Sequence, residues 1–286
     1  MRLKSFVLII SFFLPILLSG ETLYEIYGAP IQGGLLLGKV SPKVESVFYD
    51  YQELTLQNNN FILGFDKDEK LDQIITFTLW DGRMFSQRFQ IQLRNYDIQN
   101  ITLPKSKAKF SKTKPPKALN RINLESANLR SARYNSDHKP FRILQPEFAP
   151  ALANGRVSSK FGSQRIVNNI PPKPHSGLDI AVPEGTLVHA MSAGTVILTG
   201  DYYYNGKFVL IDHGLGLSSI YLHLSEILVK ADEKIELGTD IGKVGSTGIS
   251  TGPHLHWGVK LSGQNIDPAT IKNLDHLFMK FSIQTK

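Results

Sequence analysis

The chain has 286 residues, a formal net charge of +7 and no cysteine. That length supports one or two domains with real cores. The missing cysteine excludes disulfides, a thiol nucleophile, a thiolate metal site and lipid attachment through an N-terminal cysteine, so any metal must be held by His, Asp or Glu.

The first twenty residues have the pattern of a secretory leader. Arg2 and Lys4 precede an almost wholly apolar run of 13 residues from Phe6 to Leu18, and the small residues Ser19 and Gly20 follow. A membrane span needs about 20 apolar residues, so a cleaved leader is expected at 1–20 rather than an anchor. Export to the cell envelope follows, and it does not require disulfides.

Residues 21–103 are expected to form a β-sandwich-like module. Ile75, Phe77 and Leu79 alternate with Thr76, Thr78 and Trp80, and Phe85, Gln87, Phe89 and Ile91 continue with period two. Asp81-Gly82 between them is a two-residue hairpin signal, and Asn58–Asn60 marks another turn. The module holds no cluster of His, Asp and Glu, so a folding or positioning role is expected.

Residues 104–150 form a basic linker. Between Lys105 and Gln145 there are eleven Lys or Arg against two acids, Glu125 and Asp137, a local charge of +9. From Ala118 to Tyr134 no Pro or Gly intervenes, and Leu119, Ile122, Leu129 and Ala132 predict a weakly amphipathic helix. The segment is either a solvated tether or a contact for an anionic wall or lipid surface. Nucleic acid is not an expected partner, because the run lacks interleaved aromatics.

From 151 to 286 glycines punctuate short apolar runs and helical periodicity is nearly absent, which predicts a compact antiparallel β domain. Here lies the chemistry. In GSTGISTGPHLHWG, Gly245 to Gly258, His254 and His256 are two apart, so on a strand both imidazoles face one side. His175 and Asp179 lie in PPKPHSGLDIAVP, too rich in Pro and Gly for a helix, and His223 lies in SSIYLHLSE. Of the other histidines, His138 is in the linker, His276 in the C-terminal tail, and His189 and His213 sit beside apolar runs as structural residues. Two histidines and one carboxylate leave an open position on a tetrahedral zinc, the catalytic pattern, and two histidines remain to serve the reaction.

Residues 155–268 resemble the catalytic domain of the lysostaphin/LytM-type zinc metallopeptidases, which cut peptides of bacterial peptidoglycan. The matching text is GRVSSKFGSQR at 155–165, HSGLD at 175–179, DHGLGLSSIYLHLS at 212–225 and GSTGISTGPHLHW at 245–257. GAPIQGGLLLGKV at 28–40 resembles the β domain that precedes the peptidase in many Gram-negative members. The resemblance implies one Zn2+ per chain held by His175, Asp179 and His256, with His223 and His254 as catalytic histidines. It implies an endopeptidase acting on peptidoglycan stem peptides or cross-links, in which a zinc-activated water attacks the amide. Ala231-Asp232 departs from the usual Gly-Asp, but away from these positions. The alternative is a non-catalytic wall-binding or amidase-activating module, against which the intact five-residue set weighs. Because the metal ligands must be unprotonated, activity is expected to fall below about pH 6.

Overall fold

A computed structural model describes residues 17–18, 21–101, 116–134, 148–167 and 170–271. The expected leader lies outside the described residues except for Leu17 and Leu18, as do most of the basic linker, His138 and His276. No helix among the described residues is long and apolar enough to cross a membrane.

The N-terminal part is two antiparallel sheets. One orders the strands Tyr24–Gly28, Leu35–Val40 and Asn60–Gly64, and the other Gln52–Leu54, Val44–Tyr49, Asp72–Leu79 and Met84–Gln90. The period-two alternation buries Ile75, Phe77 and Leu79 and leaves Thr76 and Thr78 half-exposed. Aromatic rings fill the space between the sheets: Tyr24 stacks on Phe77 at 4.5 Å, and Tyr49, Phe65 and Phe89 lie 5.9 to 6.3 Å apart. The hairpin after Leu79 differs in one respect from the expected two-residue turn. Leu79 N–H bonds to the Arg83 carbonyl, so the loop is Trp80-Asp81-Gly82, with Gly82 in the left-handed region at φ 83°.

The C-terminal part is one ten-stranded sheet. Its main path runs Arg156–Ser159, Leu178–Ala181, Leu255–Leu261, Leu217–Ile227, Gly206–Gly214, Gly194–Tyr202 and Lys234–Ile235. All its pairings are antiparallel. Trp257, Tyr221, Val209, Ile211 and Leu255 are buried on one face.

The two parts are not beads on a string. Leu35 and Leu37 belong to the same apolar cluster as Leu261 and Ile266. Arg94 pairs with the buried Asp267 carboxylate at 2.8 Å, and Asp267 N–H bonds to the Gly33 carbonyl. A mainly charge-assisted contact with one partner buried holds strongly only when both ends are satisfied, as here. The strand Ile98–Ile101 then runs parallel beside Gln164–Val167, which pairs with Ile170–Pro174.

The single long helix among the described residues, α1, spans Pro116–Tyr134. Pro116 opens it, where the missing N–H costs nothing. Ile122, Glu125, Ser126, Leu129, Ala132 and Arg133 share one half-buried face, while Leu119 is 46 % and Leu124 67 % exposed. Leu119 therefore does not join the packed face that the sequence pattern assigned to it. The helix lies against the Gly194–Tyr202 strand.

Candidate metal centre

Adjacent strands build the centre. Asp179 on Leu178–Ala181 stands directly opposite His256 on Leu255–Leu261, and directly opposed residues of an antiparallel pair point to the same face. His256 Nδ1 comes within 2.9 Å of Asp179 Oδ1. His175 enters just after the Ile170–Pro174 strand, tied by its backbone to Ser163 and Gly162. Its Nε2 lies 2.9 Å from His256 Nδ1 and 3.0 Å from Asp179 Oδ1. Three ligand atoms of three buried residues thus form a nearly equilateral triangle.

The tautomers decide what the triangle can hold. His175 Nδ1 donates to the Lys160 carbonyl at 2.9 Å, so the neutral ring keeps a lone pair on Nε2. That lone pair faces Asp179 Oδ1, itself an acceptor. Burial raises the Asp179 carboxyl, but when the facing nitrogens of His175 and His256 carry protons, their hydrogen bonds and charge outweigh it and hold the group ionised, well below the usual carboxylate range; with those protons gone, lone pairs alone face one another. Lone pairs converging on one point suit a divalent cation. A tetrahedral ion with bonds of ~2.0–2.1 Å sets its ligand atoms roughly 3.3 Å apart, a few tenths of an ångström wider than this triangle. The residues fit a metal ion.

His223 and His254 stand beside it. Their rings lie 4.9 Å apart, and His254 Nε2 is 3.7 Å from Asp179 Oδ2. His223 Nδ1 donates to the Thr247 carbonyl at 2.9 Å, and His254 Nδ1 to the Gly252 carbonyl at 2.8 Å. That leaves Nε2 of each ring for the centre. His223 reaches the site through a fault in its strand. Between Tyr221 and Leu224 the pairing with Gly206–Gly214 slips by one residue, and His223 takes φ 64°. A bulge of this kind turns a side chain out of strict alternation. Burial, followed by His254 and His256, pushes the His223 imidazole down to about 3, against the opposing effects of Asp179 and the Thr247 bond. It is neutral at physiological pH.

All five residues singled out in the sequence come together. His189 pairs with Asp240 at 2.7 Å, and His213 is bonded to the Ala193 carbonyl and Ser219 in the core, both away from the centre. What sequence reading missed is the support. Thr247 Oγ1 accepts from Lys207 N–H and donates to the Leu224 carbonyl, which fixes the loop that holds His223. Gly177 lies so close to the neighbouring strand that a Cβ would sit 2.4 Å from the Trp257 carbonyl and 2.8 Å from His256 Nε2. The glycine in HSGLD was the available signal.

Residues 173–268, which contain all five residues, match the model of Peptidase family M23. Over 120 residues, 41 % of this chain, it is 39 % identical to the peptidoglycan DD-endopeptidase ShyA of Vibrio cholerae. It is 38 % identical, over 42 % of its length, to the DD-carboxypeptidase/endopeptidase Mpg of Neisseria meningitidis. Each match takes in 28 % of the relative, so the chain spans under a third of their length. A crystal structure from Pseudomonas aeruginosa, described as a peptidase M23, superimposes with a TM-score of 0.63 at 31 % identity, covering 85 % of this chain and 94 % of the other.

Proposed function

The chain belongs to peptidase family M23, and on that premise we propose that it is an exported, zinc-dependent endopeptidase that hydrolyses amide bonds in peptidoglycan stem peptides or cross-links. The name of ShyA, a peptidoglycan DD-endopeptidase, supports the substrate class. The observation that carries the reading is the triangle of His175 Nε2, Asp179 Oδ1 and His256 Nδ1, with sides of 2.9 to 3.0 Å. In this reading residues 1–20 are a leader, 21–103 a positioning module, 104–150 a linker and 151–286 the peptidase domain.

His175, Asp179 and His256 are the proposed ligands. A zinc ion bound by them supplies a Lewis acid that polarises a carbonyl and acidifies water. The Lys160 carbonyl holds the His175 ring in the tautomer that ligation needs. His223 and His254, each with Nδ1–H tied to a carbonyl, offer Nε2 as a proton acceptor. A neutral His223 takes the proton from the attacking water and returns it to the leaving amine, while His254, when it also carries a proton on Nε2, donates to the developing oxyanion. Such proton transfer is typically worth ~10²–10⁴ in rate. With both rings held by backbone carbonyls, little reorganisation is needed at the moment of reaction.

Digestion of purified peptidoglycan tests this. Fragments with new peptide amino and carboxyl termini and intact glycan strands are expected. Products cut between glycan and peptide, or no products from zinc-loaded protein, would contradict it.

A further inference from the structure

We propose that the seam between the two β parts is a second binding site, which takes the primary ammonium of an alkylamine, either carried on a lysine-like side chain or free as a diamine. The site is independent of the peptidase reading and remote from the metal centre. Leu261, on its wall, lies five strand residues beyond His256, a rise of about 17 Å.

The seam encloses a cavity of about 210 Å³. That is room for far more than one water, yet below the ~300–1,000 Å³ of sites for drug-sized molecules. One wall is the hairpin that pairs Tyr49 with Gln52, and Leu261 and Ser262 of the C-terminal sheet form another. The two sheets meet closely here. A Cβ on Gly64 would sit 2.6 Å from Ile266 Cδ1 and 3.1 Å from Leu261 Cδ2. Asp50, Leu215 and Ser262, on three separate turns of the rim, hold left-handed backbone at φ 44°, 50° and 46°.

The lining carries three acids, Asp50, Glu53 and Glu69, and no Lys or Arg. Glu69 is half-buried, and its two oxygens accept from neutral donors, Gln73 Nε2 at 3.0 Å and Asp66 N–H at 3.1 Å. Those bonds fix the carboxylate without neutralising it, and a charge drawn away from water calls for a counter-charge. The acids do not converge as metal ligands do. Among the described His, Asp and Glu residues, only His175, Asp179 and His256 bring three ligand atoms within 4.8 Å of one another. Acids spread around a cavity suit a longer cation with several N–H donors.

A second observation points the same way. Tyr49 lines this cavity and is 7 % exposed, and its hydroxyl is buried with no partner at hydrogen-bonding distance. Burial, followed by the Glu69 and Asp50 carboxylates, pushes the phenol up, so it keeps its proton. An unmet buried hydroxyl is costly. An ammonium answers both needs, because it donates to the phenol oxygen and to the carboxylates. Leu54, Ile62 and Leu215 offer apolar wall to the methylenes behind it.

Calorimetric titration of the full chain tests the site with three probes: cadaverine, Nα-acetyl-lysine amide, and the same amide acetylated on its side-chain nitrogen as well. The two amines are expected to bind and the doubly acetylated probe not to bind. Tighter binding of the lysine derivative assigns a peptide-borne amine, and tighter binding of cadaverine a free diamine. Glu53→Gln and Tyr49→Phe should each weaken amine binding about tenfold, the worth of one hydrogen bond to a charged group. Tyr49→Phe removes the unmet hydroxyl, so it should melt no lower than the parent; Glu53→Gln, at an exposed position of the hairpin, carries the test should Tyr49→Phe fail to fold. No binding of either amine at millimolar concentration leaves only water in the cavity and overturns the proposal. Parent-like affinity in Glu53→Gln, or equal binding of the doubly acetylated probe, overturns it too.

Discussion

His223 stands on a left-handed backbone at φ 64° and hands its Nδ1 proton to the carbonyl of Thr247, 2.9 Å away. The strained strand and the glycine-rich loop thus meet at one hydrogen bond. Thr247 secures the loop with two further bonds, to Lys207 N–H and the Leu224 carbonyl. Thr247→Val leaves both groups unpaired at an expected cost of ~1–3 kcal/mol. Turnover should fall by about 10², the lower end of what acid–base help supplies. Thr247→Ser should recover most of both. Denaturant melts and turnover of the two variants, side by side, check this; equal losses in both would show that the hydroxyl is not the cause.

Gly177 should not tolerate a methyl group. Two of its obstacles are the Trp257 carbonyl and the His256 ring, and the first is backbone that cannot rotate away. Gly177→Ala is expected to cost ~1–3 kcal/mol, the usual range for overpacking. It should also weaken metal binding ~10–100-fold, because the strand carrying His256 must shift. Calorimetric metal titration of the variant measures the second effect separately from the first. Parent-like affinity would mean that the Gly177–His256 contact is not what sets the ligand.

His213 offers a pH test remote from the centre. Burial pushes its imidazole down to about 4, against the opposing bond to the Ala193 carbonyl. The folded group therefore binds its proton less readily than the unfolded one, whose pKa is ~6.5. Its contribution to stability is fully present above pH 6.5 and is lost as pH falls towards 4, up to roughly 3 kcal/mol. Unfolding free energy measured from pH 7.5 to 4.5 should decline less steeply in His213→Gln than in the parent, though that variant starts lower. Parallel slopes would remove His213 as a source of acid sensitivity.

Much of this was legible in the sequence because alternation is a local rule. The buried positions Ile75, Phe77 and Leu79 and the shared face of His254 and His256 all follow from period two. The convergence of His175 with Asp179 was not a matter of spacing, since no helix brings them together; antiparallel register with the His256 strand does. Nor does any local signal announce the His223 bulge, because it arises from a one-residue slip against a strand whose partner is set by the whole sheet. Leu119 misled for the converse reason. Its spacing suited an apolar face, but α1 docks mainly through Arg121, Glu125 and backbone groups of Asp201 and Tyr203, and that polar seating rotates Leu119 to solvent. The shared core of the two β parts, from Leu35 to Ile266, is equally beyond pattern reading, because it joins residues more than two hundred positions apart.

Zinc titration of metal-stripped protein on cross-linked stem peptides measures the centre itself. Hydrolysis is expected to be absent in the stripped protein, to rise with added zinc and to saturate at about one equivalent per chain, the number of ions a single three-ligand site can take. Asp179→Ala, folded but lacking the carboxylate of the triangle, should stay inactive at that zinc level. Full hydrolysis by the stripped protein, or by Asp179→Ala at one equivalent, would contradict a metal centre built from His175, Asp179 and His256.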